Sequence, residues 1–258
     1  MSRGVVLIAH NNEKYDYYKM ATFVAERVNR FLKLPVTIIT DEKSNSNSYS
    51  FEKTIIVEPD SSNYRKKNVW INKGRYKVFD LSPYDETLVL DTDYILNSNQ
   101  LLNLFDHHND FACHKKIRWL LEDVEPEMLS KQTVHTLWAT VMMFRKTNRT
   151  EQVFQMIKMV QENYEHYANI YKFLPYMYRN DYALTIALKT VNGHMEDNQD
   201  YINHRLLHVS TNVKVSRIND LEYLLIAEDQ KSKKNKYMLL KDVDFHMINK
   251  TNYMELFE

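Results

Sequence analysis

Apolar residues follow two rhythms along this chain, and the changes between them predict most of its elements. Short continuous apolar runs, "GVVLIA" (4–9), "VTIIT" (36–40), "KTIIVEP" (53–59) and "ETLVLD" (86–91), read as buried strands. Between the first two, Met20, Phe23, Val24, Val28 and Leu32 recur at helical spacing, which predicts a helix over 15–33. A second helix is predicted over 68–80, and the polar stretch "DEKSNSNSYS" (41–50) reads as a loop. Strands that are apolar without alternation, separated by helices, predict a mostly parallel Rossmann-like central sheet with helices on both faces.

The second half has a different pattern. "WATVMMFRK" (138–146) predicts one more long strand, and 150–190 is mainly helical, with Val153, Met156, Ile157 and Val160 on one face. From 213 onward short strands return: "KVSRI" (214–218), "YLLIAED" (223–229), "YMLL" (237–240) and "DFHMIN" (244–249). A short helix "NYMELF" (252–257) ends the pattern, and "QKSKKNK" (230–236) reads as a charged hairpin tip. The expectation is an α/β fold with a smaller C-terminal part.

Composition narrows the function. With 258 residues, 44% hydrophobic and 26% charged, the chain suits one large α/β domain. Lys+Arg and Asp+Glu both number 34, so no net charge draws it toward nucleic acid or a membrane. The single cysteine, Cys113, sits in the apolar run "DFACH"; it reads as a core residue and suits a reducing compartment. No apolar stretch approaches the roughly 20 residues of a membrane span, so no membrane partner and a cytoplasmic location are expected. Only three glycines occur, Gly4, Gly74 and Gly193, so neither G-x-G-x-x-G nor a Walker loop can be written. A nucleotide would have to be held by a metal and cationic side chains instead.

"LVLDTDYIL" (88–96) offers the metal ligands. Residues two apart on a strand project to the same side, so Asp91 and Asp93 are expected to converge at its carboxyl end, where α/β sheets bind ligands. Two carboxylates there suit Mg²⁺ or Mn²⁺ with substrate phosphates, or cap the strand end by accepting turn hydrogen bonds. With no ion bound, the pair of like charges is expected to be mutually repulsive, so Asp93→Ala should cost little folding stability. The haloacid-dehalogenase pattern is excluded, because its threonine position is Ile95 here. His107 and His108 in "FDHHND" read as a surface helix end, and the aromatic run from Tyr164 to Tyr178 as mainly core. Arg65 to Lys67, Lys115 to Arg118, Arg145 and Arg149 form basic stretches that could track a phosphate backbone.

"YDETLVLDTDYIL" (84–96) resembles the central segment of GT-A fold, nucleotide-sugar-dependent glycosyltransferases, and further segments follow in that family's order. "VWINKGRYKVFDLSPYDE" (69–86) resembles the helix before the motif, which makes Asn72, Lys73 and Arg75 donor-binding candidates. "HTLWATVMMFRK" resembles the acceptor-side strand, with Trp138, Ala139 and Thr140 in place of its N-A-G triplet. "YRNDYALTIAL" resembles the helix whose leading aspartate approaches the transferred sugar, here Asp181, the catalytic candidate. "DFHMINK" is similar to the late segment of glycogenin-like enzymes, with His246 as third metal ligand and Lys250 on the diphosphate. That family segment reads H-x-x-G-x-x-K; here Asn249 stands at the glycine and Lys250 comes two residues early. The loop after the first strand, with Ala9, His10, Asn11 and Tyr15, is where this fold places base and ribose contacts. The resemblance implies a single GT-A domain, with a nucleotide-sugar-binding half (1–98) and an acceptor-side half (99–258). It implies Mn²⁺ or Mg²⁺ as cofactor and a nucleotide diphosphate sugar, most simply a UDP-sugar, as donor. Soluble transferases of tailed phages look similar, which adds 5-hydroxymethylcytosine in double-stranded DNA as an expected acceptor, with a protein or soluble glycan as the alternative. A sugar-nucleotide-binding module without catalysis is the other reading.

Overall fold

The computed structural model describes all residues except 59–62, 66, 67, 71, 107, 108, 123–127, 130–133, 196–199, 230, 231 and 258, and describes 63–65 and 68–70 by their backbone alone. In chain order the first half comprises β1 (Arg3–Ile8), α1 (Tyr17–Phe31), β2 (Val36–Thr40), β3 (Lys53–Ile56), β4 (Asn63–Arg65), β5 (Asn68–Trp70), α2 (Val78–Leu81), β6 (Glu86–Leu90) and β7 (Tyr94–Ile95). The rest comprises β8 (Phe111–His114), β9 (Ile117–Trp119), β10 (Trp138–Arg145), α3 (Asn148–Glu162), α4 (Tyr164–Tyr171), α5 (Asn180–Val191), β11 (Tyr201–Ile202), β12 (Leu206–Val209), β13 (Lys214–Arg217), β14 (Glu222–Glu228), β15 (Asn235–Lys241), β16 (Phe245–Met247) and α6 (Lys250–Glu255).

The central sheet has seven strands in the order β11-β8-β10-β6-β1-β2-β3. Strands β3, β2, β1 and β6 are mutually parallel, and β10 runs against its neighbours β6 and β8. The strand order therefore steps one way from β1 to β3 and the other way to β6, with a reversal between β1 and β6. Ligands of open α/β sheets bind beyond the carboxyl ends of the strands at such a reversal.

The continuous apolar runs are explained by burial on both faces. Val5, Leu7, Leu88, Leu90, Val141 and Met143 point into one core with α1, while Val6, Val89, Met142 and Phe144 point into another with α3 and α5. Cys113 is fully buried, as expected of a core residue, and burial raises its thiol pKa well above the ordinary value. A third core joins the meander β13-β14-β15 to the sheet β7-β16-β12-β9 through Val215, Tyr223, Leu225 and Phe245. Its strands β12 to β16 come from the C-terminal stretch of the chain, and β7 and β9 from earlier in it. No helix among the described residues is long and apolar enough to cross a membrane.

The helix predicted over 68–80 is shorter than its pattern suggests. Asn68–Trp70 is a strand, Gly74 sits at φ 80°, and helical structure begins only at Arg75. A left-handed residue cannot continue a right-handed helix, so Gly74 sets the start. Pro83 sets the end by pushing Ser82 into an extended conformation (φ −60°, ψ 129°).

Candidate active site

Strand β6 ends at Leu90, and residues 91–94 form a turn closed by the Tyr94 N–H to the Asp91 carbonyl, at 3.1 Å. Asp91 and Asp93 thus converge across a turn rather than along a strand. The turn is held on both sides: the Asp91 N–H donates to Thr140 O (2.9 Å), and the Asp93 carbonyl accepts from Met247 N–H (3.0 Å). Antiparallel pairing of β16 with β7 sets His246 opposite Tyr94, next to Asp93. One ligand atom from each of Asp91, Asp93 and His246 lies within 4.8 Å of the others, the one such group among the described residues.

Two cations face this group. Arg75 donates to Asp91 Oδ1 and the Lys250 ammonium to Asp93 Oδ2, while His246 Nε2 lies 3.1 Å from Asp93 Oδ1. Burial pushes the Asp93 carboxyl up, but Lys250 and His246 outweigh it and hold the group far below the ordinary carboxylate range. Asp91 goes the other way: burial and the adjacent Asp93 charge exceed the relief from Arg75, and its pKa is raised. Lys250 reaches Asp93 because it opens α6, whose N-cap is Asn249, with Oδ1 accepting from Asn252 N–H at 3.2 Å. That cap is the role of Asn249 here.

These groups line a cleft of about 440 Å³ together with His10, Tyr17, Asn72, Trp138, Thr140 and Asp181, among others. Asp181 lies in the first turn of α5 but does not cap it; Oδ1 accepts from the Ala139 N–H (2.9 Å) and Oδ2 lies 3.3 Å from Arg179. Ala9, Asn11, Tyr15 and Lys73 are not among the residues lining this cleft. Ala9 is buried, with its N–H bonded to Ile39 O. Asn11 serves its own loop, accepting from Tyr18 N–H with its side chain and donating its N–H to Ser44 Oγ. The Tyr15 hydroxyl lies beside Lys14 and Thr251, and Lys73 borders a smaller hollow with His10 and Glu58. His107 and His108, with Lys66 and Lys67, lie outside the described residues. Arg145 and Arg149 are structural: Arg145 pairs with Glu86, and Arg149 with the buried Asp200.

Several lining residues had no motif to announce them. His208, on β12, touches His246 through Nδ1 (3.1 Å) and packs edge-on against Trp119 (4.2 Å) and Trp138 (5.0 Å). Burial pushes the His208 pKa down to about 2, so the ring is neutral, and a hydrogen bond between the two Nδ1 atoms needs a proton on one of them. His208 Nε2, Trp119 Nε1 and the Tyr17 hydroxyl are buried without a hydrogen-bond partner among the described residues. The pattern "LLHV" carries His208 only as one position of a short strand, which is why composition and spacing did not single it out.

Fold and site together define a mixed α/β protein with two carboxylates and an imidazole, a group that could hold a metal ion, at the reversal point of its sheet. No protein-family model matches the chain, and no curated protein matches it by sequence. Solved structures that resemble it include the glycosyltransferase GlyE of Streptococcus pneumoniae TIGR4, at 15% identity and TM-score 0.47, over 78% of this chain and 44% of that one. LgtC resembles it at 16% identity and TM-score 0.49, over 72% and 69%. Mouse xyloside xylosyltransferase 1 does so at 11% and 0.48, over 80% and 85%. The chain thus spans less than half of the GlyE chain and about two thirds of LgtC.

Proposed function

We propose that this protein is a metal-dependent glycosyltransferase that moves a sugar from a nucleotide diphosphate sugar, a UDP-sugar, to an acceptor hydroxyl. The observation that carries the reading is the Asp91, Asp93 and His246 group beside Arg75 and Lys250 in one cleft at the switch point. The donor set fits a divalent cation: two carboxylates suit Mg²⁺ or Mn²⁺, and an imidazole tips the choice to Mn²⁺. Bound there, the ion would neutralise charge on the departing diphosphate. Lys250 and Arg75 supply further positive charge at the same place without any glycine-rich loop, in keeping with a chain of three glycines. Asp181, held by Ala139 N–H and Arg179, would present its carboxylate to the sugar or the incoming hydroxyl. Trp138 and Trp119 provide apolar surface for a sugar ring, and Thr140 a hydroxyl beside it.

For the acceptor, the basic footprint that a DNA duplex would need loses Arg145 and Arg149 to internal ion pairs. Exposed Lys116 and Arg118 remain. A hydroxyl on a saccharide or protein is the acceptor class this supports, ahead of 5-hydroxymethylcytosine in duplex DNA.

An active transferase hydrolyses its donor slowly in the absence of acceptor. Incubation with a panel of UDP-sugars and Mn²⁺, followed by mass spectrometry of released sugar, should show hydrolysis that falls at least about a hundredfold in Asp181→Asn while melting temperature holds. No hydrolysis of any donor by the wild type, with nucleotide still bound, would leave a binding module in place of an enzyme. Adding saccharide, protein and 5-hydroxymethylcytosine duplex acceptors to the same reaction ranks the acceptor classes.

A further inference from the structure

A row of side chains crosses the sheet β7-β16-β12-β9 and ends beside Asp93. Pairing sets Trp119 of β9 opposite His208 of β12, His208 opposite His246 of β16, and His246 opposite Tyr94 of β7. Residues in register on neighbouring strands project to the same face, with the strands about 4.8 Å apart, so their rings meet. The His208 and His246 ring centroids are 4.6 Å apart at 73°, with their Nδ1 atoms 3.1 Å apart. His208 is fully buried, and Trp119 and Trp138 stand edge-on to it. An indole N–H only donates, so neither tryptophan can take a proton from the pair.

A neutral imidazole has one N–H and one lone pair. His246 turns Nε2 toward Asp93, within the group that could hold an ion. To ligate through Nε2, the neutral ring must carry its proton on Nδ1, and a buried N–H needs an acceptor. His208 Nδ1 is the atom within reach, and burial keeps that ring neutral and able to accept.

We propose that His208 is a positioning residue for the ion: by accepting the Nδ1 proton of His246 it fixes the tautomer and orientation of that ring and leaves Nε2 as the ligand atom. The inference rests on the metal-dependent reading above. Histidines that bind metals usually give their other N–H to a carboxylate, a carbonyl or a water, and losing that partner weakens the site about ten- to a hundredfold. A carboxylate behind His246 would add a third negative charge beside Asp91 and Asp93. The His208 ring takes the same proton without adding charge, and its own proton then sits on Nε2.

Mn²⁺ binding, read from the electron paramagnetic resonance of the free ion with and without UDP, separates this role from packing. His208→Phe, which keeps a ring but no acceptor, should weaken Mn²⁺ about ten- to a hundredfold. In a His246→Ala background the same substitution should change affinity by less than about twofold, because its effect runs through His246. His208→Gln, whose amide oxygen accepts, should stay within about threefold of wild type. In wild type loaded with diamagnetic Zn²⁺, ¹⁵N shifts should show a proton on His246 Nδ1 and none on His208 Nδ1; this reading needs no variant, so it decides even where His208→Phe fails to fold. Wild-type Mn²⁺ affinity in His208→Phe, an equal loss in the His246→Ala background, or a proton on His208 Nδ1 in the loaded protein would overturn the inference while the metal-dependent reading stands. If wild type binds no Mn²⁺ with or without UDP, both fall.

Discussion

Removing the Asp93 carboxylate will destabilise the metal-free protein, although simple charge counting says otherwise. Two aspartates two residues apart suggest a repulsive pair that gains from losing a member. In the structure, Asp93 is instead the shared acceptor of Lys250 and His246, and the Asp93 and Lys250 side chains are only 7% and 9% exposed. Deleting one partner of a buried pair leaves the other charge uncompensated, at a cost of about 3–5 kcal/mol. Repulsion from Asp91 offsets part of this, by less than the ~4 kcal/mol expected for bare charges about 4 Å apart, because Arg75 already pairs with Asp91. A net loss of about 2–4 kcal/mol remains, or roughly 5–15 °C in melting temperature for a chain of this size. The depressed Asp93 pKa gives the same sign: the carboxylate is stabilised as the anion, so the effect is fully present at neutral pH and is lost only on strong acidification. Urea unfolding in EDTA at pH 7, for Asp93→Ala, Lys250→Met and the double variant, reads the value directly. The double variant should recover at least half of the single-variant loss, because it removes the orphaned ammonium. Wild-type stability in Asp93→Ala, or a double variant no better than the single, would mean that the buried Asp93–Lys250 pair adds nothing to stability.

Two further outcomes concern the scaffold. A Cβ on Gly4 would meet the Tyr84 ring at 2.3–2.5 Å, and Tyr84 is tethered through its hydroxyl to Thr37 Oγ1 at 2.8 Å; Gly4→Ala should therefore lower the unfolding free energy by about 1–3 kcal/mol in a urea titration. Burial raises the Glu86 carboxyl, but Arg3 and Arg145 outweigh it and lower its pKa, so its contribution is present above pH about 4.3 and is lost as pH falls. Glu86→Gln should cost stability at pH 7 and flatten the acid limb of the stability curve below pH about 5.

What could be read in the chain beforehand divides along physical lines. Strands β1, β2, β6 and β10 are buried on both faces, so their apolar runs were visible without knowing their neighbours. Strands β9, β12 and β16 are three or four residues long, and they pair with segments far away in sequence. Of these three, β9 and β12 had too little local pattern to be seen. Asp91, Asp93 and His246 were legible through order and residue type, and the structure brings them together. The carboxylates converge through a turn, not strand alternation, because pairing of β7 with β16 bends the chain after Leu90. His208 touches His246 and Asp41 touches His10, and such partners carry no spacing signal of their own. Gly74 could have shortened the predicted second helix, since a glycine inside a helical pattern is a natural stop.

In the proposed function one cleft holds a nucleotide diphosphate through a cation bound by Asp91, Asp93 and His246. Isothermal titration of UDP into the wild-type protein, once in Mn²⁺ and once in EDTA, tests it most directly. Saturable binding should be at least about a hundredfold tighter with Mn²⁺, because a cation held by Asp91, Asp93 and His246 would add its charge to diphosphate binding. Equal affinity in EDTA, or no heat of binding in either buffer, would contradict it.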